Sequence, residues 1–173
     1  MNSPAMQTTT DSNRDIWVLD RLAEGWHLGK LMDASGLSDV AIDEVAYRAG
    51  SLPESHPRAQ ALARYKSRQQ ERVWDLLAEF KQHCQDCYGD RLIELMLFGS
   101  CARGDFHPTS DIDVLVVLKD LNKESDRRLT IDFLMDVTAR TSELISPLLY
   151  DEQDWLNGRV SLRQVISKEG IAI

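Results

Sequence analysis

The 173-residue chain has no apolar run long enough to span a bilayer, and Met1–Ser12 is polar rather than a basic stretch followed by an apolar one. Neither a membrane helix nor a secretory signal is expected, and we expect a cytoplasmic protein of one ordinary domain with a small helical appendage. Cysteine is scarce: Cys84, Cys87 and Cys101 cannot all pair within one chain, which argues against an extracellular disulfide framework. Cys84 and Cys87 have the C-x-x-C spacing of a zinc or redox pair, but no second such pair or paired-histidine cluster completes a tetrahedral set. Cys101 and His107 could come near, yet packing at the end of a helix is the simpler reading. Positive charge is in deficit, with 20 Lys and Arg against 28 Asp and Glu and a formal charge of -8. Broad adhesion to nucleic acid or anionic lipid is therefore not expected, although a local basic patch is compatible with it. There is no internal repeat.

Residues 1–13 are short, polar and rich in Thr and Ser, and read as a disordered tail. Residues 14–57 read as a helical extension. Ile16, Leu19 and Leu22 recur at helical spacing, and Leu28, Leu31 and Met32 precede Gly36, with Leu37, Val40 and Val45 after it. Helix, glycine turn and helix resemble a DNA-reading layout, but Asp39, Asp43 and Glu44 on the second helix oppose phosphate, so a plain helical hairpin is preferred. Two prolines in Ser51–Arg58 mark a turn before a third part, residues 58–173. A long helix over about 58–88 carries the stripe Val73, Leu76, Leu77, Phe80, Cys84 and Cys87. Arg64, Lys66, Arg68 and Arg72 in its first half read as a solvated face in preference to a phosphate site. Ile93–Phe98 and Ile112–Leu118 read as strands, Asp120–Asp126 as a charged loop, Leu129–Leu144 as a helix and Leu144–Tyr150 as a third strand. One or two short helices follow before Gly170. The fold class is α/β or α+β, a mixed sheet with helices packed on it.

Chemistry concentrates between the first two strands, in Leu97–Leu118, "LFGSCARGDFHPTSDIDVLVVL". Asp111 and Asp113 stand at i and i+2 at the mouth of a strand, which points both carboxylates to one face. Asp111 could simply end a turn. Asp113, however, lies inside an apolar strand, where an unpaired carboxylate is costly. Hard oxygen ligands on one side of a sheet suit magnesium, with nucleotide phosphates completing its shell. Gly99 permits close approach of backbone to a ligand, and Ser100 with the amides opening the next helix could hold phosphates.

Gly-Ser, ten residues, then Asp-X-Asp resembles the signature of the polymerase-β nucleotidyltransferase superfamily. The longer string is similar to that of its minimal nucleotidyltransferases, and the resemblance does not extend to residues 1 to about 57. It implies a mixed sheet that binds Mg2+ and a nucleoside triphosphate such as ATP. Asp111 and Asp113 would be catalytic and ligate the metal, Gly99 and Ser100 would meet the phosphates, and Arg103 and Ser110 would support the loop or the nucleotide. Transfer of AMP to an acceptor is the activity implied, with a HEPN-type ribonuclease toxin as the partner and an antitoxin role. In active members a third carboxylate comes from a later strand. Here alternation puts Leu144, Ser146, Leu148 and Tyr150 on one face, with Ser146 where the acid is expected and Glu143 and Asp151 as substitutes at the strand ends. Two rivals follow: a catalytically weak nucleotide-binding antitoxin that acts by direct binding, and a regulator that reads DNA through residues 28–47. The acceptor, the base preference and the oligomeric state, a homo-oligomer included, stay open.

Overall fold

The computed structural model describes residues 4–159 and 161–173, with side chains from residue 11 onward. The chain divides into two compact units, Met1–Gln70 with Phe106–Thr109, and Glu71–Asp105 with Ser110–Ile173. That division falls inside a helix, twelve residues beyond the proline-rich turn at which the sequence reading separates its second and third parts.

The first unit is helical: α1 (Pro4–Ala23), α2 (Leu28–Ser35), α3 (Asp39–Gly50) and the start of α4 (Pro57–Tyr88). The helix from Pro4 replaces the irregular tail expected over residues 1–13, of which 1–3 lie outside the described residues. Proline fits a first helical turn, and extending an existing helix costs far less than nucleating one, so the polar residues continue the amphipathic turn behind them. Val18, Leu19, Leu31, Ile42, Val45 and Tyr65 belong to one core cluster. His27 caps α2 through Nδ1, Gly36 ends it with φ 70°, and Ser38 caps α3. Inside this unit the buried Asp15 carboxylate accepts a 2.9 Å bond from Arg58. Arg64 pairs with Asp20 and Arg68 donates to the Ala23 carbonyl, so these cations brace α1 rather than form an open basic face.

The second unit is a four-stranded mixed sheet of order β3-β2-β1-β4, built from β1 (Leu92–Phe98), β2 (Ile112–Leu118), β3 (Ile145–Asp151) and β4 (Ile171–Ala172). β2 pairs antiparallel with β1 and parallel with β3. Its run of valine, leucine and isoleucine explains its central place, because a strand covered on both faces needs apolar side chains at nearly every position. Five of its seven residues, Val114–Leu118, show no exposed surface beyond a trace. On one face Phe98, Leu115 and Val117 pack with Trp155 and Ile166, which come from α7 (Glu152–Leu156) and α8 (Arg163–Glu169). The α4 stripe Val73, Leu76, Leu77, Phe80 and Cys84 is buried as the spacing requires, each large apolar side chain contributing about 1.5–3 kcal/mol.

α6 (Lys123–Thr141) begins inside the stretch read as a charged loop. Asn122 Oδ1 accepts from the Glu124 and Ser125 amides, and Asp126 Oδ2 accepts in return from the Asn122 amide at 2.8 Å. This reciprocal cap satisfies the first amides of the helix, so the charges belong to its first turn. Its buried positions are Asp126, Thr130 and Val137, whereas Leu129 is 45% exposed.

Arg91 NH1 and NH2 donate to both oxygens of Asp126, which is 2% exposed, and hold its carboxyl below the usual carboxylate range. A depressed folded pKa contributes stability that is present above the unfolded value and lost as pH falls through the folded one. Arg91→Ala is expected to cost about 3 kcal/mol at pH 7, the lower end for a broken buried pair because Arg91 is partly solvated. The gap from wild type should close as pH drops below about 4. Urea unfolding of both proteins between pH 7 and pH 2.5 measures it; a gap constant with pH would show that the ion pair is not its source.

Candidate functional site

β1 delivers its last residue, Phe98, in register with Asp113 of β2, and α5 (Gly99–Arg103) starts at once. Gly99 has φ +72°, a conformation that side chains disfavour, and a Cβ built on it would collide with Asp113 Oδ2. The glycine is thus required twice, to turn the chain and to leave room for the carboxylate. Gly104 closes α5 with φ 75°, and the Asp105 amide donates to the Ser100 carbonyl at 2.9 Å. These bonds fold Gly99–Asp105 into one tight turn above the end of β1.

Asp111 is exposed just before β2, and Asp113 is half-buried within it. Burial raises the Asp113 carboxyl above its ordinary value, the charge of Asp111 raises it further, and Arg103 opposes both. Two carboxylates that push on one another, one of them partly desolvated, form a site that a cation would relieve. The donor chemistry fits magnesium, and the missing side chain at Gly99 leaves the Asp113 carboxylate its room. Among the described residues no group of three or more His, Cys, Asp or Glu is arranged to hold a metal by itself.

Arg103 Nη1 donates to both carboxylate oxygens of Glu169 at 2.9 and 3.0 Å, and its Nε reaches Asp105 at 3.3 Å. It supports the turn by tying α5 to α8, a partner that lies 66 residues away in sequence and that no local pattern announces. Ser110 is half-buried immediately ahead of Asp111. The Cys101 thiol donates to the Asp111 carbonyl at 3.4 Å, and its pKa is pushed up to about 11, first by burial and then by Asp113, Glu143 and Asp111. It is a packing residue, not a nucleophile. Cys84 is likewise buried and pushed up to about 12, chiefly by desolvation, and Cys87 lies against His83. The C-x-x-C segment ends a helix as the simpler reading has it.

The parallel register pairs Asp113 with Ser146, so a hydroxyl occupies the neighbouring position on the carboxylate face. Asp151 pairs with Leu118 at the other end of β3, five residues on, roughly 17 Å away at strand rise. Its carboxylate accepts from the Leu121 and Gln153 amides, which hold its pKa below the usual range. Asp151 therefore does not substitute for the missing acid. Glu143 stands on the near side: the Leu144 carbonyl accepts from the Ile112 amide, and the Glu143 charge acts on the same thiol as Asp111 and Asp113. Arg72 approaches it at 3.5 Å and also donates to the Thr141 carbonyl.

The model of a nucleotidyltransferase domain matches residues 77–169, more than half of the chain. Two proteins of Methanocaldococcus jannaschii, both provisionally named protein adenylyltransferases, are similar in sequence. One is 40% identical over 82 residues, covering 46% of this chain and 56% of its own length. The other is 33% identical over 78 residues, covering 45% of this chain and 79% of its own length. The chain thus spans little more than half of the first relative. A solved structure of a provisionally assigned nucleotidyltransferase from Sulfolobus solfataricus aligns over 62% of this chain and 84% of its own, at 24% identity and a TM-score of 0.40.

Proposed function

The chain belongs to the nucleotidyltransferase domain family, and from that premise we propose that it transfers AMP from ATP to a hydroxyl on an acceptor protein. The observation that carries this reading is the close seating of Asp113 against the Gly99 turn, with Asp111 beside it. Asp111 and Asp113 would hold Mg2+, which supplies charge neutralisation for the triphosphate and for the departing pyrophosphate. Gly99 and Ser100 meet the phosphates, and Arg103 keeps their turn fixed through Glu169. The acceptor oxygen bonds to the α-phosphorus while the bond from that phosphorus to the α,β-bridging oxygen breaks. The bonding pair leaves on pyrophosphate, and the hydroxyl proton passes to water or to Glu143. Catalysis here is mainly alignment and charge compensation.

The two relatives named protein adenylyltransferases support AMP as the group and protein as the acceptor. A HEPN-type toxin as that acceptor, with this chain as its antitoxin, is the partner we propose from the motif. An acidic chain of charge -8 is suited to dock on a basic RNA-cutting protein. Ser146 in place of an acid favours a second reading, in which the protein binds nucleotide and neutralises its partner with little turnover. Incubating the protein, Mg2+ and ATP labelled at the α-phosphate with a purified HEPN partner separates the two. Label on the partner is the expected result. Tight binding of an unlabelled partner would instead establish the second reading. Among the described residues no helix is long and apolar enough to cross a membrane.

A further inference from the structure

β3 is an edge strand, paired with β2 on one side only. Beside its open side lies a cleft of about 560 Å³, walled by one face of α6 through Lys123, Arg127, Ile131 and Leu134. Every residue from Leu144 to Tyr150 lines it, although successive side chains of a strand take opposite faces. A cleft lined in that way follows the main-chain edge itself. In a parallel pair alternate residues turn both N–H and C=O toward the partner, and the Leu144 carbonyl is bonded to the Ile112 amide. Ile145, Pro147 and Leu149 consequently turn theirs outward. Pro147 sits where its missing N–H costs the sheet nothing, which leaves two donors and three acceptors on the open edge.

Charge at this cleft is of one sign. Arg72, Arg91, Arg103, Arg128, Arg140 and Arg159 of the same unit each hold a carboxylate. Lys123 and Arg127, one turn apart on α6, hold none among the described residues. Below them the wall is apolar, and Ile131 and Leu144 are 40% and 47% exposed.

We infer that this cleft receives an extended acidic segment of the acceptor polypeptide, which adds to the sheet along β3 and turns its carboxylates toward Lys123 and Arg127. The inference rests on the acceptor being a protein, as proposed above. Strand addition takes affinity from main-chain bonds and specificity from side-chain pockets, which matches an edge of free amides and carbonyls over an apolar wall. It also has a consequence for chemistry. A residue of the added strand opposite Ser146 faces the same side as Asp113, two strand spacings, about 10 Å, away, so a hydroxyl side chain there shares the face that carries Asp113.

The test uses the full chain without ATP and a fluorescent peptide of alternating glutamate and valine with a central tyrosine, read by anisotropy. Binding to wild type and equally to Asp113→Asn is expected, with Lys123→Glu/Arg127→Glu weakening it by about tenfold or more. Both replaced side chains are exposed, so the variant keeps its fold. N-methylation of alternate peptide amides should abolish binding in one register and spare it in the other. No binding by wild type, binding undiminished in the double variant, or displacement of the peptide by ATP would overturn the inference. Peptide binding as expected beside failed label transfer would retire the transfer reading and leave the docking edge standing.

Discussion

Asp113→Asn should lower transfer of labelled AMP by about 1,000-fold or more, the scale for removing a group that holds compensating charge at the reacting phosphate. The fold should survive the change. The Asp113 charge is held against burial and against Asp111 and is favoured by the weaker pull of Arg103, so a neutral amide removes the burial cost and the larger repulsion at the loss of the smaller attraction. Thermal unfolding without nucleotide is thus expected to move little, or slightly upward, while activity disappears. Asp111→Asn should act in the same direction with a smaller effect, because Asp111 is exposed and its place can be taken by water. Glu143→Gln reads the remaining question: a clear loss of rate makes Glu143 the acceptor of the hydroxyl proton, and an unchanged rate gives that role to water. Undiminished transfer by Asp113→Asn would remove the carboxylate pair from the mechanism altogether.

Gly99→Ala is expected to abolish most activity by a different route. Its positive φ costs a side-chain-bearing residue about 1–3 kcal/mol, and the new methyl would also displace the Asp113 carboxylate. Misplacing a reacting group by an ångström can cost about 100-fold. Gly104→Ala is the control. It has a similar φ of +75°, yet a Cβ there meets nothing within 4 Å. Both variants should lose comparable stability to backbone strain, and only Gly99→Ala should lose transfer as well. Equal activity losses in the two would mean that strain in the turn, and not room for Asp113, is what the glycine supplies.

Where signals are local, the sequence is enough. β2 is legible as Ile112–Leu118 because a central strand must be apolar on both faces, and α4 because its stripe recurs at helical spacing from Val73 to Cys87. The carboxylate pair and the Gly-Ser turn are legible because alternation and glycine chemistry act within a few residues. The start of α6 was also available, since Asn122 followed by Glu124 and Asp126 is a cap with an acidic first turn, but charge density there resembles a loop.

Longer-range facts behave otherwise. That Asp113 is neighboured by Ser146, that Asp151 is committed to the Leu121 amide, and that Arg103 closes on Glu169 all depend on register and on partners 30 to 66 residues apart. The open edge of β3 beside Lys123 and Arg127, which hold no carboxylate among the described residues, belongs with them. The sequence by itself determined which residues carry the chemistry, because their types and spacing are set along the chain. Only the tertiary structure decided which of several carboxylates stand near that chemistry, because strand pairing, not sequence distance, sets what a side chain meets.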